Sequence, residues 1–243
     1  MLPASLPLPE SLSGQSVLVI GGTSGIGEAA AKLLMHVGAD VTVASRSIDA
    51  DADGGPDTPR RLRIDVTDEE QLEAALARLD TIHHVYVTAG GFVPGGLSEM
   101  DPQAARELLL SRADDVLRVA RVAVPRMAPN GSLTFTSANS AEFPTLGGTG
   151  SGAAVAALEG VVRALALELA PKIRVNAIRV GLADTQMMRR AFPTDEAMAE
   201  LGAPVPLKRV GQPEEIASAA LFLMANAYMT AAVITVDGGG WLA

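Results

Sequence analysis

Residues 17–27 read Val-Leu-Val-Ile-Gly-Gly-Thr-Ser-Gly-Ile-Gly, a short apolar run followed by a cluster of glycines. The apolar run predicts a buried strand from Ser16 to Ile20. Apolar side chains then recur at helical spacing, which predicts a helix over 25–37 that Gly38 closes. A glycine turn between a strand and a helix presents free N–H groups and the positive end of the helix, and both attract phosphate. The stretch therefore predicts the pyrophosphate-binding corner of a dinucleotide site.

The glycines of this turn form a G-x-x-x-G-x-G pattern, one residue longer in its first gap than the more familiar dinucleotide fingerprint. Glycines let the backbone turn tightly and approach a pyrophosphate, and the turn also carries hydroxyl donors. The alternative is a tight strand-to-helix turn without a ligand, but the flanking strand and helix favour the nucleotide site. The cofactor contacts predicted here are Gly21, Thr23, Ser24, Gly25, Ile26 and Gly27.

The end of the second predicted strand, 40–44, indicates which dinucleotide is bound. A carboxylate usually holds the ribose hydroxyls of NAD at this point, but the chain reads Ser45-Arg46-Ser47. A planar guanidinium flanked by hydroxyls suits a 2′-phosphate, so we expect NADP(H) to be preferred over NAD(H). The alternative is an exposed arginine at a strand end. An acidic loop that begins at Asp49 would weaken phosphate binding if it folded back.

Two further strand ends complete the predicted cofactor contacts. Asp65 follows the third strand, 62–64, and is placed to accept a hydrogen bond from the adenine amino group, with Val66 beside it. Ala89, Gly90 and Gly91 follow the fourth strand and would let a ribose approach closely.

Strands and helices alternate along the whole chain. This order predicts a single α/β domain over 1–243, a doubly wound parallel sheet of seven strands flanked by helices. A loop over 49–59 replaces one crossover helix because its composition forbids a helix. Residues 1–14 are predicted to form an N-terminal arm, and 186–206 a lid over the substrate. The remaining predicted strands are 84–88, 132–136, 172–178 and 233–236, and the remaining helices are 68–79, 101–122, 152–169 and 213–225.

Composition excludes several classes of function. Apolar residues make up 48% of the chain, so a large core can be buried. Acidic residues outnumber basic ones, 28 to 19, and the net charge of −9 makes nucleic acid and membrane surfaces poor partners. The chain has no cysteine and no cluster of histidines and carboxylates with metal-ligand spacing, so no metal is expected. Without a signal-peptide pattern or a long apolar run, a cytoplasmic protein is expected.

Seven short motifs occur in order along the chain: Gly21-Gly-Thr-Ser-Gly-Ile-Gly27, Asp65-Val-Thr-Asp68, Ala89-Gly90, Ile173-Arg-Val-Asn-Ala177, Asp184-Thr185, Arg209-Val-Gly-Gln-Pro-Glu-Glu-Ile216 and Val236-Asp-Gly-Gly239. With these motifs the chain resembles, over roughly residues 14 to 240, the short-chain dehydrogenase/reductase family, which has the Rossmann fold. The resemblance implies that Thr185 binds the nicotinamide carboxamide, that Gly181 belongs to the cofactor site, and that Asn176 and Asp237 are structural. It also implies a homodimer or homotetramer and a small-molecule substrate.

Family catalysis depends on a serine, a tyrosine and a lysine four residues after that tyrosine, usually with an asparagine. Ser137 matches the serine, but in the family register Ser151 takes the place of the tyrosine and Val155 that of the lysine. The asparagine is replaced by Arg112, with Ser111 as the neighbouring alternative. The resemblance thus implies a cofactor site whose usual proton-transfer pair is missing.

Other side chains offer only partial substitutes for that pair. Arg112 or Arg179, if turned inward, could stabilise an alkoxide, but arginine is a poor proton donor. Glu142 is either an acid or base, if it is buried, or a solvent-facing residue at the pocket rim. The three histidines are assigned surface or packing roles, because ligands bind at the carboxyl ends of strands. Met187 and Met188 are predicted as part of the lid, or as ordinary apolar cover.

Three functions remain open at this point. The first is an NADP(H)-dependent oxidoreductase acting on an unknown carbonyl or alcohol, with Ser137 orienting the substrate and water or an unassigned group handling the proton. The second is a catalytically silent protein that binds a dinucleotide as a sensor or partner subunit. The third is a non-redox enzyme, such as a lyase or isomerase, that uses the same pocket.

Overall fold

The computed structural model describes residues 8–49, 51–55, 57–91, 93 and 95–242. Residues 1–7 of the predicted arm lie outside the described residues. The rest of that arm contains a short 3₁₀ helix, Pro9–Leu12, and Leu12 is buried in the hydrophobic core. This part of the arm therefore packs on the domain and does not extend from it.

The predicted parallel sheet of seven strands is confirmed. The strands are β1 Ser16–Ile20, β2 Asp40–Ser45, β3 Arg60–Arg63, β4 Ile82–Val87, β5 Met127–Ala138, β6 Ile173–Val180 and β7 Val233–Val236. Their order is β3-β2-β1-β4-β5-β6-β7, and every neighbouring pair is parallel. The order reverses direction between β1 and β4, which makes this the switch point of the doubly wound fold.

Helices cover both faces of the sheet. The helices are α1 Gly25–His36, α2 Glu69–Leu76, α3 Pro102–Ala123, α4 Thr149–Leu169, α5 Gln186–Ala191, α6 Asp195–Gly202 and α7 Pro213–Ala225. The core on one face contains apolar residues of α2, α3 and α4, and the core on the other face contains those of α1 and α7. No helix within the described ranges is long and apolar enough to cross a membrane.

The start of α4 differs from its prediction. The sequence predicts a helix from residue 152, but α4 already begins at Thr149. A Cβ on Gly150 would overlap the sulfur of Met100 and press on Ala105, so glycine permits this helical turn to pack closely. The hydroxyl of Ser151 also bonds the backbone of Val93, which fixes the turn. Packing has overridden a weak local helix propensity here.

The acidic loop after β2 folds as a loop among its described residues, as predicted, and it lies along the edge strand β3. Ala52 pairs with Arg61 as an antiparallel bridge. The carboxylate of Asp51 accepts a hydrogen bond of 2.6 Å from the backbone N–H of Arg63 and forms an ion pair with Arg78. Asp51 therefore bonds the loop to β3 and to the turn that follows α2.

The predicted lid, 186–206, contains two short helices, α5 and α6. Arg189 of α5 donates to both carboxylate oxygens of Asp184, at 2.7 and 2.6 Å, and to Asp195 at the start of α6, at 2.8 Å. These bonds raise the pKa of Arg189 and lower that of Asp184. One arginine thus joins the two helices to the segment that follows β6.

Candidate functional site

A cavity of about 430 Å³ lies over the carboxyl ends of β1 to β5, across the switch point. Ligands of doubly wound folds bind at this place. A second cavity of about 360 Å³, beside Asp40 and Arg60, lies at the opposite ends of β2 and β3. The first cavity is lined by Ile20, Gly21, Ser24, Gly25, Ile26, Ser45, Arg46, Ile64, Val66, Thr88, Ala89, Gly90, Gly91, Arg112, Thr136, Ala138, Ser140, Ser151, Val155, Thr185, Gln186 and Met187.

The glycine corner is built by close backbone contacts. Gly21 has φ +86° and lies against Thr88, whose hydroxyl donates at 3.2 Å to the carbonyls of Ile20 and Gly21. A Cβ on Gly27 would overlap the Gly21 carbonyl. Gly27 therefore permits the turn without lining the cavity itself, and Thr23 does not line it either.

The first turn of α1 fits a pyrophosphate. Ser24 precedes this helix but makes no side-chain capping bond to it, so the first amides remain open to an anion. Gly25 has φ +53°, and a Cβ there would meet the Thr185 side chain at 3.3 Å. A dinucleotide thus fits the backbone cradle that these glycines leave.

The predicted adenosine contacts divide into two groups. Ser45, Arg46 and Val66 line the cavity. Ser47 does not, and its hydroxyl lies 2.8 Å from that of Ser45. Asp65 also lies outside the lining, where one carboxylate oxygen accepts from the N–H and hydroxyl of Thr67, at 3.0 and 2.8 Å. Burial raises the pKa of Asp65, but the Thr67 hydrogen bonds and the charge of Arg46 bring it below its ordinary value.

Arg112 reaches the cavity from α3, as the sequence suggested. Its Nη1 donates at 2.9 Å to the carbonyl of Ala89, and a Cβ on Gly90 would overlap the guanidinium. Ala89, Gly90 and Gly91 all line the cavity beside it. The glycine at position 90 therefore makes room for an arginine as well as for a ligand.

Ser137 is not where the sequence placed it. It is buried, does not line the cavity, and its hydroxyl donates at 2.8 Å to Glu159 of α4. Side chains alternate along a strand, so Ser137 shares the core-facing side of β5 with Phe135, while Thr136 and Ala138 line the cavity. The geometry therefore separates the Ser137 hydroxyl from any ligand in the cavity.

Glu159, which the sequence reasoning missed, is the centre of a buried ion cluster. Arg179 donates to its two carboxylate oxygens, each at 2.7 Å, and also pairs with Glu142. Burial raises the pKa of Glu159, and the Ser137 hydrogen bond and Arg163 oppose this rise. Arg179 and Glu142 bond each other instead of lining the cavity. An acidic residue within the apolar face of α4 was the signal that could have revealed the cluster.

The positions corresponding to the family tyrosine and lysine line the cavity. Ser151 donates at 3.2 Å to the Val93 carbonyl and accepts at 3.1 Å from the Val93 N–H, and Val155 lies one turn later in α4. Tyr86 is buried in β4, where burial raises its pKa to about 12. Tyr228 is fully exposed beyond α7. Neither tyrosine lines the cavity.

The residues after β6 combine structural and cavity positions. Thr185 lines the cavity and accepts a hydrogen bond of 3.4 Å from Met188 N–H as the cap of α5. Gly181 lies outside the lining, and a Cβ there would overlap Asp237. Asp237 accepts from Asn139, Gly239 N–H and Trp241 N–H.

Outside the predicted lid, three lining residues with polar side chains were not selected from the sequence. Thr88 and Thr136 lie at the ends of β4 and β5, and Ser140 follows in a short 3₁₀ helix, Asn139–Ala141. The alternation of side chains along β5 was the available signal for Thr136.

The doubly wound sheet, its glycine corner and the cavity at its switch point define the class of dinucleotide-binding domains. A family model described as enoyl-(acyl carrier protein) reductase matches residues 21–240. A short-chain dehydrogenase/reductase, ATR9, of Stachybotrys chlorohalonatus is 34% identical over 255 aligned positions, which cover 96% of this chain and 99% of the relative. Carbonyl reductase family member 4 of Danio rerio is 32% identical, covering 91% of this chain and 96% of the relative.

Solved structures agree with these sequence relatives. A small-chain dehydrogenase in complex with NADPH superposes with a TM-score of 0.82 at 31% identity, covering 95% of this chain and all of that one. The ligand-free aldohexose dehydrogenase of Thermoplasma acidophilum shares the fold, with a TM-score of 0.86 at 24% identity over 96% of each chain. The chain belongs to the short-chain dehydrogenase/reductase family, and its relatives identify it as an oxidoreductase of that family.

Proposed function

We propose that the protein is an NADP(H)-dependent oxidoreductase that acts on a carbonyl or alcohol group and exchanges the accompanying proton with solvent. The observation that carries the proposal is that one continuous cavity is lined by Arg46, by Gly21 and Gly25 of the glycine corner, and by Ser151. A nicotinamide bound there would donate or accept a hydride.

Arg46 supports the preference for NADP(H). It lines the cavity, and no carboxylate lies within 4.0 Å of its guanidinium in the described part of the chain. Asp51 of the neighbouring acidic loop is bonded instead to the backbone N–H of Arg63 and to the Arg78 side chain. A free guanidinium beside the Ser45 hydroxyl suits a 2′-phosphate. The NADPH complex of a 31% identical relative is consistent with this assignment.

The proton route follows from the chemistry of the cavity wall. Among the described residues that line it, the ionisable side chains are Arg46 and Arg112, and arginine stays protonated in proteins. The hydroxyls of Thr136, Ser140 and Ser151 can orient a substrate oxygen, but a serine or threonine hydroxyl does not ionise near neutral pH. Solvent therefore supplies or accepts the proton, at a cost of roughly 10² to 10⁴ in rate relative to general acid catalysis.

The same cavity wall favours a second candidate, a silent dinucleotide-binding sensor or partner subunit. Ser151 already uses its hydroxyl to hold Val93, and Val155 offers no polar atom. In this candidate function the cofactor would stabilise the fold without being turned over.

Thermal unfolding and a turnover assay test the two candidates together. NADPH is expected to raise the melting temperature more than NADH does, because a ligand that binds only the native state stabilises it. Purified protein is then incubated with NADPH and a panel of aldehydes and ketones, and cofactor absorbance is followed. Consumption above the no-substrate background supports the oxidoreductase. Binding without consumption supports the silent candidate, and the absence of a shift with either cofactor contradicts both.

A double variant separates a weak enzyme from a silent protein. Ser151→Tyr with Val155→Lys would place the family pair in the cavity wall. Turnover that appears only in the double variant supports the silent candidate, whereas turnover by the unaltered chain excludes it. Leu158→Met on the same helix is the control, because it changes α4 without adding a polar group.

We also propose a homodimer or homotetramer. The long helices α3 and α4 expose large apolar side chains, with Leu110 58% and Leu167 83% exposed. Apolar residues on the outside of two long helices suit a contact between copies of the chain. Light scattering during size-exclusion chromatography tests this proposal, and a monomeric mass at micromolar concentration would contradict it.

A further inference from the structure

We infer that Arg112 binds the nicotinamide half of the cofactor and makes the site selective for the reduced form. This inference rests on the proposed dinucleotide function but not on turnover. It assigns Arg112 to cofactor binding, in addition to the substrate-side role that the sequence suggested.

The position of Arg112 relative to the switch point supports its assignment to the nicotinamide half. A dinucleotide bound across a doubly wound sheet places one nucleotide on each side of the point where the strand order reverses. Arg46, at the end of β2, and Arg112, beside the end of β4, lie on opposite sides of that point. If Arg46 holds the 2′-phosphate of the adenosine, Arg112 faces the other nucleotide.

The hydrogen bonds of Arg112 leave its guanidinium available to a ligand. Nη1 donates to the Ala89 carbonyl at 2.9 Å, and Nε is buried without a partner. Nη2 has no hydrogen-bond partner among the residues that the structure describes. Within the described part of the chain, the Arg112 guanidinium therefore donates a hydrogen bond through Nη1 alone.

The charge of Arg112 is also unpaired. No carboxylate lies within 4.0 Å of it in the described part of the chain. Asp115, one turn later in α3, pairs instead with Arg118 at 3.2 Å. Burial lowers the pKa of Arg112, while the negative charge of Asp115 raises it. A guanidinium nevertheless remains protonated near neutral pH. A partly buried cation without a counter-ion costs stability, and such exceptions concentrate at functional sites.

The contact with Gly90 places this charge at the cavity wall. The guanidinium lies where a Cβ of residue 90 would be, and Ala89, Gly90 and Gly91 line the cavity around it. A ribose that approaches the end of β4 would meet the N–H donors of Arg112, and its hydroxyl oxygens can accept hydrogen bonds from them. Val155, which also lines the cavity, provides no such donor.

Redox selectivity follows from the sign of the charge. The oxidised nicotinamide ring carries a positive charge, and the reduced ring is neutral. A fixed cation near the ring repels only the oxidised form, and the repulsion is strong where little water screens it. The unaltered protein should therefore bind NADPH more tightly than NADP⁺, by about tenfold.

Titration with three probes tests the inference. NADPH, NADP⁺ and 2′,5′-adenosine bisphosphate, which lacks the nicotinamide half, are titrated into the unaltered protein and variants by calorimetry. Arg112→Gln should weaken NADPH binding by about tenfold, the factor for one charge-assisted hydrogen bond, while the bisphosphate affinity is unchanged. The preference for NADPH over NADP⁺ should also shrink. Arg112→Lys, which keeps the charge, should restore that preference.

Two controls make the result specific. Arg106→Gln changes an exposed arginine on the same helix and should leave all three affinities unchanged. Arg46→Gln should weaken all three ligands by a similar factor, because each carries the 2′-phosphate. Melting temperatures without ligand show whether each variant is folded.

The outcomes distinguish this inference from the proposed function. Cofactor binding that is unaffected by Arg112→Gln overturns the inference alone. The inference is also overturned if Arg112→Gln weakens binding of the bisphosphate and of NADPH equally, and if Arg112→Lys, although folded, binds them no more tightly than Arg112→Gln does. The residue would then act through the fold. If the unaltered protein binds none of the three ligands, the inference and the proposed function both fail.

Discussion

Arg179 of β6 and Glu159 of α4 form a buried, two-pronged ion pair, in which Nε and Nη2 each donate at 2.7 Å to a different carboxylate oxygen. The Glu159 side chain is 2% exposed and that of Arg179 is 13% exposed. The pair joins α4, whose earlier turns carry Ser151 and Val155, to the end of the strand beside β5. It therefore supports the cavity wall without lining it.

Removing one partner of this pair should be strongly destabilising. Glu159→Gln leaves the Arg179 charge poorly compensated, and we expect a loss of about 3 kcal/mol in the free energy of unfolding. Urea denaturation measures it. Glu142→Gln is the control, because the Glu142 side chain is 53% exposed and its pair with Arg179 is worth less than about 1 kcal/mol.

The double variant Glu159→Gln with Arg179→Met checks the origin of that loss. If the loss arises from an uncompensated charge, removing both charges should be less destabilising than the sum of the single changes. Additive single losses would contradict the ion-pair explanation.

Ser137→Ala should affect stability and not ligand binding. The hydroxyl donates to the buried carboxylate of Glu159, so its loss should cost about 1.5 kcal/mol of unfolding free energy. NADPH affinity, and kcat/KM for any substrate found, should stay close to those of the unaltered protein. A large fall in kcat with unchanged stability would instead indicate that Ser137 acts on the substrate.

Two glycines in helices should respond in opposite ways to alanine. A Cβ on Gly27 would overlap the Gly21 backbone, so Gly27→Ala should distort the corner and greatly weaken NADPH binding. Gly160 in α4 has open space around its Cβ position, and Gly160→Ala should stabilise the protein by about 0.5 to 1 kcal/mol. Calorimetric titration and thermal unfolding of both variants measure these effects. Unchanged NADPH affinity in Gly27→Ala would contradict the assignment of the corner.

His84 should make stability fall in mild acid. Its ring bonds Ser132 and Gln15 at 2.8 and 2.7 Å, and burial lowers its pKa from 6.5 to about 3. The unfolded chain binds the proton near pH 6.5 and the folded chain does not, so stability is lost as the pH falls below 6.5 towards 3. The loss between about pH 7.5 and about pH 5.5 should be about 1.4 kcal/mol.

Urea unfolding at the two pH values measures the effect of His84. His84→Gln should reduce the difference between them, while the same change at exposed His36 should leave it unchanged. An identical pH dependence in His84→Gln would show that other groups cause it.

Much of the fold was predictable because its signals are local. The strand bounds of β1 and β7 were correct from apolar runs, and the caps Asp68 and Asp101 each accept a backbone hydrogen bond at the helix starts expected for them. The start of α4 was not predictable in this way. Its first turn reads Thr149-Gly-Ser-Gly152, and the helical form of this turn depends on packing of Gly150 against Met100 and Ala105.

The candidate site was predicted less completely than the fold. Arg46 and Arg112 were selected and do line the cavity. Ser137 was selected from a motif match, but the alternation of side chains along β5 turns it toward Glu159. The side of a strand that a residue occupies depends on the register of the whole sheet, which one motif does not fix.

The sequence alone determined the glycine corner and the order of strands and helices, because each depends on neighbours a few residues apart. Only the tertiary structure decided what faces the cavity. Arg112 bonds Ala89 across 23 positions, and Glu159 bonds Ser137 across 22 and Arg179 across 20. Such contacts exist only after α3 and α4 pack on the sheet, because packing sets which long side chains reach a common point.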